Sequence, residues 1–116
     1  MAWRIPSLNR TAAVIIFLPA FAEWVKKVHP KNTSNLSLAS LNKKKPIYLI
    51  PSSEETEIQV WFEVMADIVM DEIFEMVVSD PLKWPDRRTR KFNDYFEVEF
   101  HEQIFDLVRE PLKRER

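Results

Sequence analysis

Residues 52–78, SSEETEIQVWFEVMADIVMDEIFEMVV, determine the fold that the sequence predicts. Ser52 and Glu55 form a capping box and Pro81 ends the pattern, so the stretch predicts one long helix. Its apolar arc covers roughly 200° around the helix axis, whereas an ordinary surface helix has roughly 100°. The arc contains Ile58, Trp61, Phe62, Met65, Ala66, Val69, Met70, Ile73, Met76 and Val77. We therefore expect two layers, or a second copy of the chain, to cover this helix.

The composition bounds the size of the protein and excludes several kinds of site. A length of 116 residues is typical of one domain, so we expect residues 1–116 to form a single domain. The absence of cysteine excludes disulfides, thiolate metal sites and cysteine nucleophiles. The absence of glycine excludes phosphate-binding loops of the Walker and Rossmann types. We expect no cofactor.

Charge is distributed unevenly along the chain. Residues 1–53 carry eight Lys or Arg and one acid, a net charge of +7, whereas residues 54–116 carry nine Lys or Arg and seventeen acids, a net charge of −8. Opposite charges on the two halves attract each other, either within one molecule or between two copies. This pattern favours a protein partner or a homo-oligomer.

A strand, a helix and a second strand are predicted before the long helix. Ala12 to Phe17 is a short apolar run typical of a buried strand, and Pro19 fits the first turn of a helix that ends before Pro30. Ile47 to Ile50 reads as the second strand. A crossover of this length predicts a right-handed βαβ unit with parallel strands. A short helix capped by Ser37 is expected within the connection.

The start of the chain has an alternative interpretation. Two arginines precede the apolar run, so residues 1–22 resemble a secretory signal. Pro19 interrupts the run, however, and the run is too short to span a membrane. We therefore expect a cytoplasmic protein without membrane contact, with the secretory signal as the alternative.

The last third of the chain is more ambiguous. Thr89 is a candidate cap for a short helix, and Phe96 to Phe105 is predicted to form a third strand. The expected fold class is therefore α+β: a βαβ unit, one long helix, a short helix and a third strand in two or three layers. A helical C-terminal segment, giving a mostly α fold, is the alternative.

Four stretches together resemble an uncharacterised family of small bacterial proteins. They are NRTAAVI at 9–15, YLIP at 48–51, the WPxxRT loop at 84–89 and residues 96–107. The resemblance implies a small cytoplasmic bacterial domain. It implies no activity, cofactor or functional residue.

One candidate polar site involves three side chains. Glu72 falls inside the apolar arc of the long helix, so its carboxylate should be buried and should need a cation or a donor. Glu99 and His101 project from one face of the predicted third strand. A metal-dependent or acid/base enzyme centred on these residues is an alternative function. We assign no catalytic residue and no metal ligand.

A second set of candidates indicates protein interaction. Val60, Val64 and Phe74 lie on the acidic side of the long helix, where apolar side chains are unexpected. Trp84, Arg87 and Arg88 belong to a basic loop that ends at Lys91, and its arginines are expected to pair with the acidic helix. Nucleic-acid binding through this loop is the remaining alternative, disfavoured by a pI near 6.1. The leading function is therefore a non-enzymatic interaction module or homo-oligomer.

Overall fold

An antiparallel sheet of three strands forms one layer of the protein. The computed structural model describes residues 4–32, 36–52 and 55–115. Strand β1 (Arg10–Phe17) lies between β2 (Ile47–Pro51) and β3 (Phe96–His101), in the order β2-β1-β3. The predicted α+β class is confirmed, and the alternative with a helical C-terminal segment is wrong because this segment pairs with β1 through six residues.

The predicted parallel pairing of the first two strands is wrong. Val14 pairs with Ile47 and Arg10 with Pro51, so β1 and β2 run antiparallel. The side chain of Asn42 accepts a hydrogen bond from the Phe17 backbone N–H (2.8 Å) and donates one to the Phe17 carbonyl (3.0 Å). This pair of hydrogen bonds holds the connecting segment at the end of β1. Because β2 begins beside the point where β1 ends, the two strands run in opposite directions.

In the described part of the chain, four α-helices accompany the sheet: α1 (Pro19–Val28), α2 (Leu38–Leu41), α3 (Glu55–Val77) and α4 (Phe92–Tyr95). Pro19 begins α1 and Ser37 caps α2 by accepting from the Ser40 N–H, as predicted. The proposed cap by Thr89 is wrong, because α4 begins at Phe92 and the Thr89 hydroxyl donates to the Asp86 carbonyl instead. The proposed capping box of Ser52 depends on the side chain of Glu55, which lies outside the described part of the structure.

Alternating side chains place the helices on one face of the sheet. Ala13, Ile15 and Phe17 of β1 are buried in the core together with Ile50 and Phe96 from the neighbouring strands. The opposite face carries the side chains in between, because the side-chain period of a strand is two. On that face Ile47 and Leu49 are exposed, and so are Glu97, Glu99 and His101.

Phe74 of α3 lies at the centre of an aromatic cluster. Its ring contacts Trp24 of α1 (4.8 Å between centroids), Tyr95 of α4 (5.8 Å) and Phe96 of β3 (5.7 Å). Phe21 of α1 also packs against it. The second half of α3 is therefore covered by the sheet on one side and by α1 and α4 on another.

The covered arc of α3 is displaced from the predicted one. Around the helix axis, the buried side extends from the direction of Ile58 to the direction of Phe74. Helices α1 and α4 pack beside the sheet and cover α3 on the Phe74 side only. Trp61 and Met76 belong to the predicted arc, yet they are 38% and 64% exposed. The expectation that two layers cover the helix is thus met for part of its circumference.

A narrow ribbon continues the pairing beyond the sheet. Ser7 forms a bridge with Phe105, the Leu8 N–H donates to the Ile104 carbonyl (2.7 Å), and the Asp106 N–H donates to the Pro6 carbonyl (2.8 Å). The third strand was predicted to reach Phe105, and β3 ends at His101 before this ribbon begins. Among the helices of the described residues, none has both the length and the apolarity needed to cross a membrane.

We expect Phe74→Ala to lower the free energy of unfolding by about 3–5 kcal/mol, because it opens a cavity where three helices and the sheet meet. Val64→Ala is the matched control on the same helix, and we expect it to change stability by less than about 0.5 kcal/mol because Val64 is 74% exposed. Urea unfolding followed by circular dichroism measures both. Similar losses in the two variants would contradict the position of Phe74 in the core.

Candidate functional site

Four exposed apolar side chains form a continuous stripe on α3. Val60, Trp61, Val64 and Ile68 are 61%, 38%, 74% and 59% exposed, and we call this set the outer stripe. The spacing of Trp61, Val64 and Ile68 is i, i+3 and i+7, which places them on one side of a helix. Glu57, Val60, Trp61 and Val64 line a shallow groove of about 480 Å³ in this surface.

The outer stripe faces away from the core. Ile58, Phe62 and Val69 point into the core from the opposite side of the same helical segment. Helix α1 packs on the second half of α3 and Phe92 of α4 contacts Phe62, so the first half has the sheet and Phe92 on one side and solvent on the other. Contiguous exposed apolar surface of this kind marks interaction sites in monomeric proteins.

Acidic residues surround the outer stripe. Helix α3 contains seven Asp or Glu and no Lys or Arg. Asp67 and Asp71 receive ion pairs from Arg87 and Arg90, and Glu72 accepts a hydrogen bond from Tyr48. Glu57, Glu63 and Glu75 are exposed beside these residues. The surface around the stripe therefore favours a cationic ligand.

The basic loop after α3 folds back onto the helix, as the sequence predicts. Arg90 donates from Nη2 to Oδ1 of Asp71 (2.5 Å) and lies 3.8 Å from Oδ1 of Asp67. Its guanidinium lies over the Phe74 ring, 5.3 Å from the centroid. Arg87 also donates to the Asp71 carboxylate. Arg87, which was predicted as an interaction residue, is therefore paired within its own chain.

Arg90 is the residue of the basic loop that is buried most deeply against α3. Only 1% of its side chain is exposed, and neither Nε nor Nη1 has a hydrogen-bond partner among the described residues. A buried guanidinium with so few partners depends strongly on each one that it has. Asp71 therefore fixes the basic loop against α3.

Trp84 and Arg88, the other predicted interaction residues of the loop, have local partners. The Trp84 indole N–H donates to the Val78 carbonyl (2.7 Å) at the end of α3. Arg88 donates to Asp86 from its backbone N–H (2.9 Å) and its guanidinium, and these bonds lower the pKa of the Asp86 carboxyl. The half-buried Trp84 ring borders a cavity of about 680 Å³ with Trp24 and Tyr95.

The predicted site of Glu72, Glu99 and His101 does not assemble. Glu72 is exposed rather than buried, because the covered arc of α3 lies on the Phe74 side of the helix. Glu99 and His101 contact each other (Oε1 to Nε2, 3.0 Å) on the open face of the sheet, whereas α3 packs against the other face. The sheet therefore separates Glu72 from the other two side chains.

Phe74 was predicted on the interaction surface, and this assignment is wrong. The ring is fully buried, because α1 and α4 cover the side of α3 that the acidic pattern suggested was open. Trp61 and Ile68 show the reverse: the prediction assigned Trp61 to the buried arc and did not select Ile68, yet both are exposed. The spacing of Ile68 relative to Val64 and Trp61 was the available signal.

Glu72 has Tyr48 as its partner in place of a cation. The Tyr48 hydroxyl donates to Oε1 of Glu72 (3.0 Å), which ties the exposed edge strand β2 to α3. Partial burial of the ring, together with the hydrogen bond and the negative charge of Glu72, raises the pKa of Tyr48 well above its usual value of 10.0. The neutral phenol is therefore stabilised in the folded state.

Nowhere in residues 4–32, 36–52 and 55–115 do three His, Asp or Glu side chains come close enough to hold a metal ion. Comparisons of the chain with protein-family models, with curated proteins and with solved structures found no match. The resemblance to small bacterial proteins therefore stays a prediction. The outer stripe is the feature of this geometry that bears most directly on function.

We expect Asp71→Ala to lower the free energy of unfolding by about 3–5 kcal/mol, because it leaves the buried Arg90 guanidinium without its closest partner. Asp67→Ala is the matched control, since the Asp67 side chain is 76% exposed and its Oδ1 lies 3.8 Å from Nη2 of Arg90. We expect the control to cost less than about 1 kcal/mol. Equal effects in urea unfolding would contradict the role of Asp71.

Alkaline pH tests the contact between Tyr48 and Glu72. Because the folded-state pKa of Tyr48 lies above the unfolded value of 10.0, its stabilising contribution is present below pH 10.0 and is lost as the pH rises beyond it. We therefore expect the wild type to lose more stability between pH 9 and 11 than Tyr48→Phe does. Urea midpoints measured across this range provide the comparison. Parallel losses in both proteins would exclude a raised Tyr48 pKa.

Proposed function

We propose that this protein is a non-enzymatic interaction module that binds another polypeptide through the outer stripe of α3. The observation that carries the proposal is the exposure of four neighbouring apolar side chains on a helix that carries seven acids and no base. Burying such side chains gains free energy in proportion to the apolar area removed from water, about 25 cal/mol per Å². A bound chain would remove this area from water.

The surroundings of the stripe define the chemistry of the bound chain. It should carry apolar side chains for the stripe and Lys or Arg for the acids beside it, such as Glu57 and Glu63. A symmetric contact between two α3 helices would place acidic residues against acidic residues, which opposes binding. An apolar segment flanked by basic residues is therefore the ligand class that fits best.

The basic loop offers less to a nucleic acid than its sequence suggested. Arg87 and Arg90 are paired with Asp71, and Arg88 is paired with Asp86. The indole N–H of Trp84 is bonded within the chain. Phosphate recognition needs cationic side chains that are free to contact the backbone of the nucleic acid. These contacts support a role of the loop in stabilising α3.

A synthetic amphipathic peptide tests the proposal. We expect saturable binding of a peptide with leucines at i, i+3 and i+7 flanked by lysines, and no binding of the same peptide with glutamates in place of the lysines. Val64→Asp should weaken binding at least about tenfold, because it places a charge at the centre of the apolar contact. Titration followed by tryptophan fluorescence or calorimetry measures the affinity.

Leu82→Asp is the matched control for this experiment, because Leu82 is 92% exposed and lies outside α3. The affinity of the Leu82→Asp variant for the lysine peptide should equal that of the wild type. Equal binding of both peptides, or equal weakening by Val64→Asp and Leu82→Asp, would overturn the proposal. So would the absence of saturable binding.

A further inference from the structure

We infer that the outer stripe of α3 receives the C-terminal tail, residues 107–116, of a second copy of this chain, and that the two copies exchange tails reciprocally. This inference rests on the proposed function and names the partner of the same surface. The tail is another exposed apolar segment of the described residues. Leu107, Val108 and Leu112 are 64%, 63% and 64% exposed.

The position of the tail is fixed at its base. The ribbon formed by Ser7 and Phe105, with the hydrogen bond from the Asp106 N–H to the Pro6 carbonyl, carries the chain past the end of the sheet at Arg10. The Val108 N–H then donates to the Asp106 carboxylate (2.9 Å). The described residues after this point are all exposed. The tail is thus presented outward from a structured base.

The charge of the tail complements that of α3. Residues 107–116 contain four basic and two acidic side chains, a net charge of +2, with Arg109, Lys113 and Arg114 interspersed among the apolar residues. Helix α3 carries seven acids and no base. The tail therefore has the composition expected of a ligand for the outer stripe: apolar side chains with basic residues next to them.

The two segments also match in length. From Val60 to Ile68 the outer stripe rises about 12 Å, at 1.5 Å per residue. In an extended chain Val108 and Leu112 lie on the same side, about 13 Å apart at about 3.3 Å per residue. A tail laid along α3 can therefore place Val108 and Leu112 over the stripe and its last basic residues beside the acids of the helix.

A second copy is the occupant that closes this arrangement. In each molecule the tail follows the ribbon beyond the sheet. Its leucine side chains are exposed and are not packed on α3 of the same molecule. Two copies related by a two-fold axis would make the same contact twice, which gives a closed dimer. Doubling the contact also brings the buried area towards the roughly 1,200–2,000 Å² of specific interfaces.

Single-cysteine variants test the exchange, because the chain contains no cysteine of its own. One full-length chain carries Ile68→Cys on α3, and a second, distinguishable by a mass tag, carries Leu112→Cys in the tail. Both positions are exposed, so neither change disturbs the core. We expect mixed disulfide dimers under mild oxidation, at least about tenfold above a mixture of Leu82→Cys and Leu112→Cys, and fewer at high salt.

Three outcomes would overturn the inference. Predominant dimers between two Ile68→Cys chains would indicate a symmetric α3 contact. A chain carrying both Ile68→Cys and Leu112→Cys that closes on itself when dilute would place the tail on its own helix. No enrichment over the Leu82→Cys control would exclude the tail as the ligand. If the lysine peptide binds in that last case, the proposed function stands without the exchange, and if neither is observed, both fall.

Discussion

The burial of Phe74 is the constraint on which the rest of the structure depends. Its ring joins α1, α4 and β3 in one aromatic cluster, and the buried guanidinium of Arg90 lies over it. Aromatic side chains bury large areas and favour tilted or edge-to-face contacts, so this position fixes which side of α3 meets the core. With Ile58, Val69, Ile73 and Phe74 pointing inward, Val64 and Ile68 lie on the remaining, outward side of the helix.

The consequence for function is a division of α3 into two parts. The second half is held by α1, α4 and the loop that Asp71 anchors through Arg90, whereas the first half contacts the core on one side only. Glu57, Glu63 and Glu75 remain exposed to solvent near the outer stripe. A rigid helix with an apolar stripe and a single sign of charge suits the recognition of an apolar, basic segment, which is the composition of the chain's own tail.

Several elements follow from local rules and could be predicted from the sequence. Pro19 at the start of α1, the Ser37 cap of α2 and the strand that begins at Phe96 depend on residues close in the chain. The direction of β2 could not be predicted, because it depends on hydrogen bonds between the Asn42 side chain and the backbone of Phe17, twenty-five residues away. The exposure of Glu72 also depended on remote packing: periodicity identifies an apolar arc, but the arc that is covered depends on where α1 and α4 lie.

Methyl NMR with a soluble paramagnetic probe tests the central claim most directly. In a dilute sample at high salt, we expect strong broadening of the methyl signals of Val64 and Ile68, and little broadening of those of Val69 and Ile73 in the core. Concentrating the sample at low salt should protect Val64 and Ile68, because a second chain then covers the stripe. Equal shielding of all four residues in the dilute sample would contradict the claim, and so would unchanged broadening on concentration.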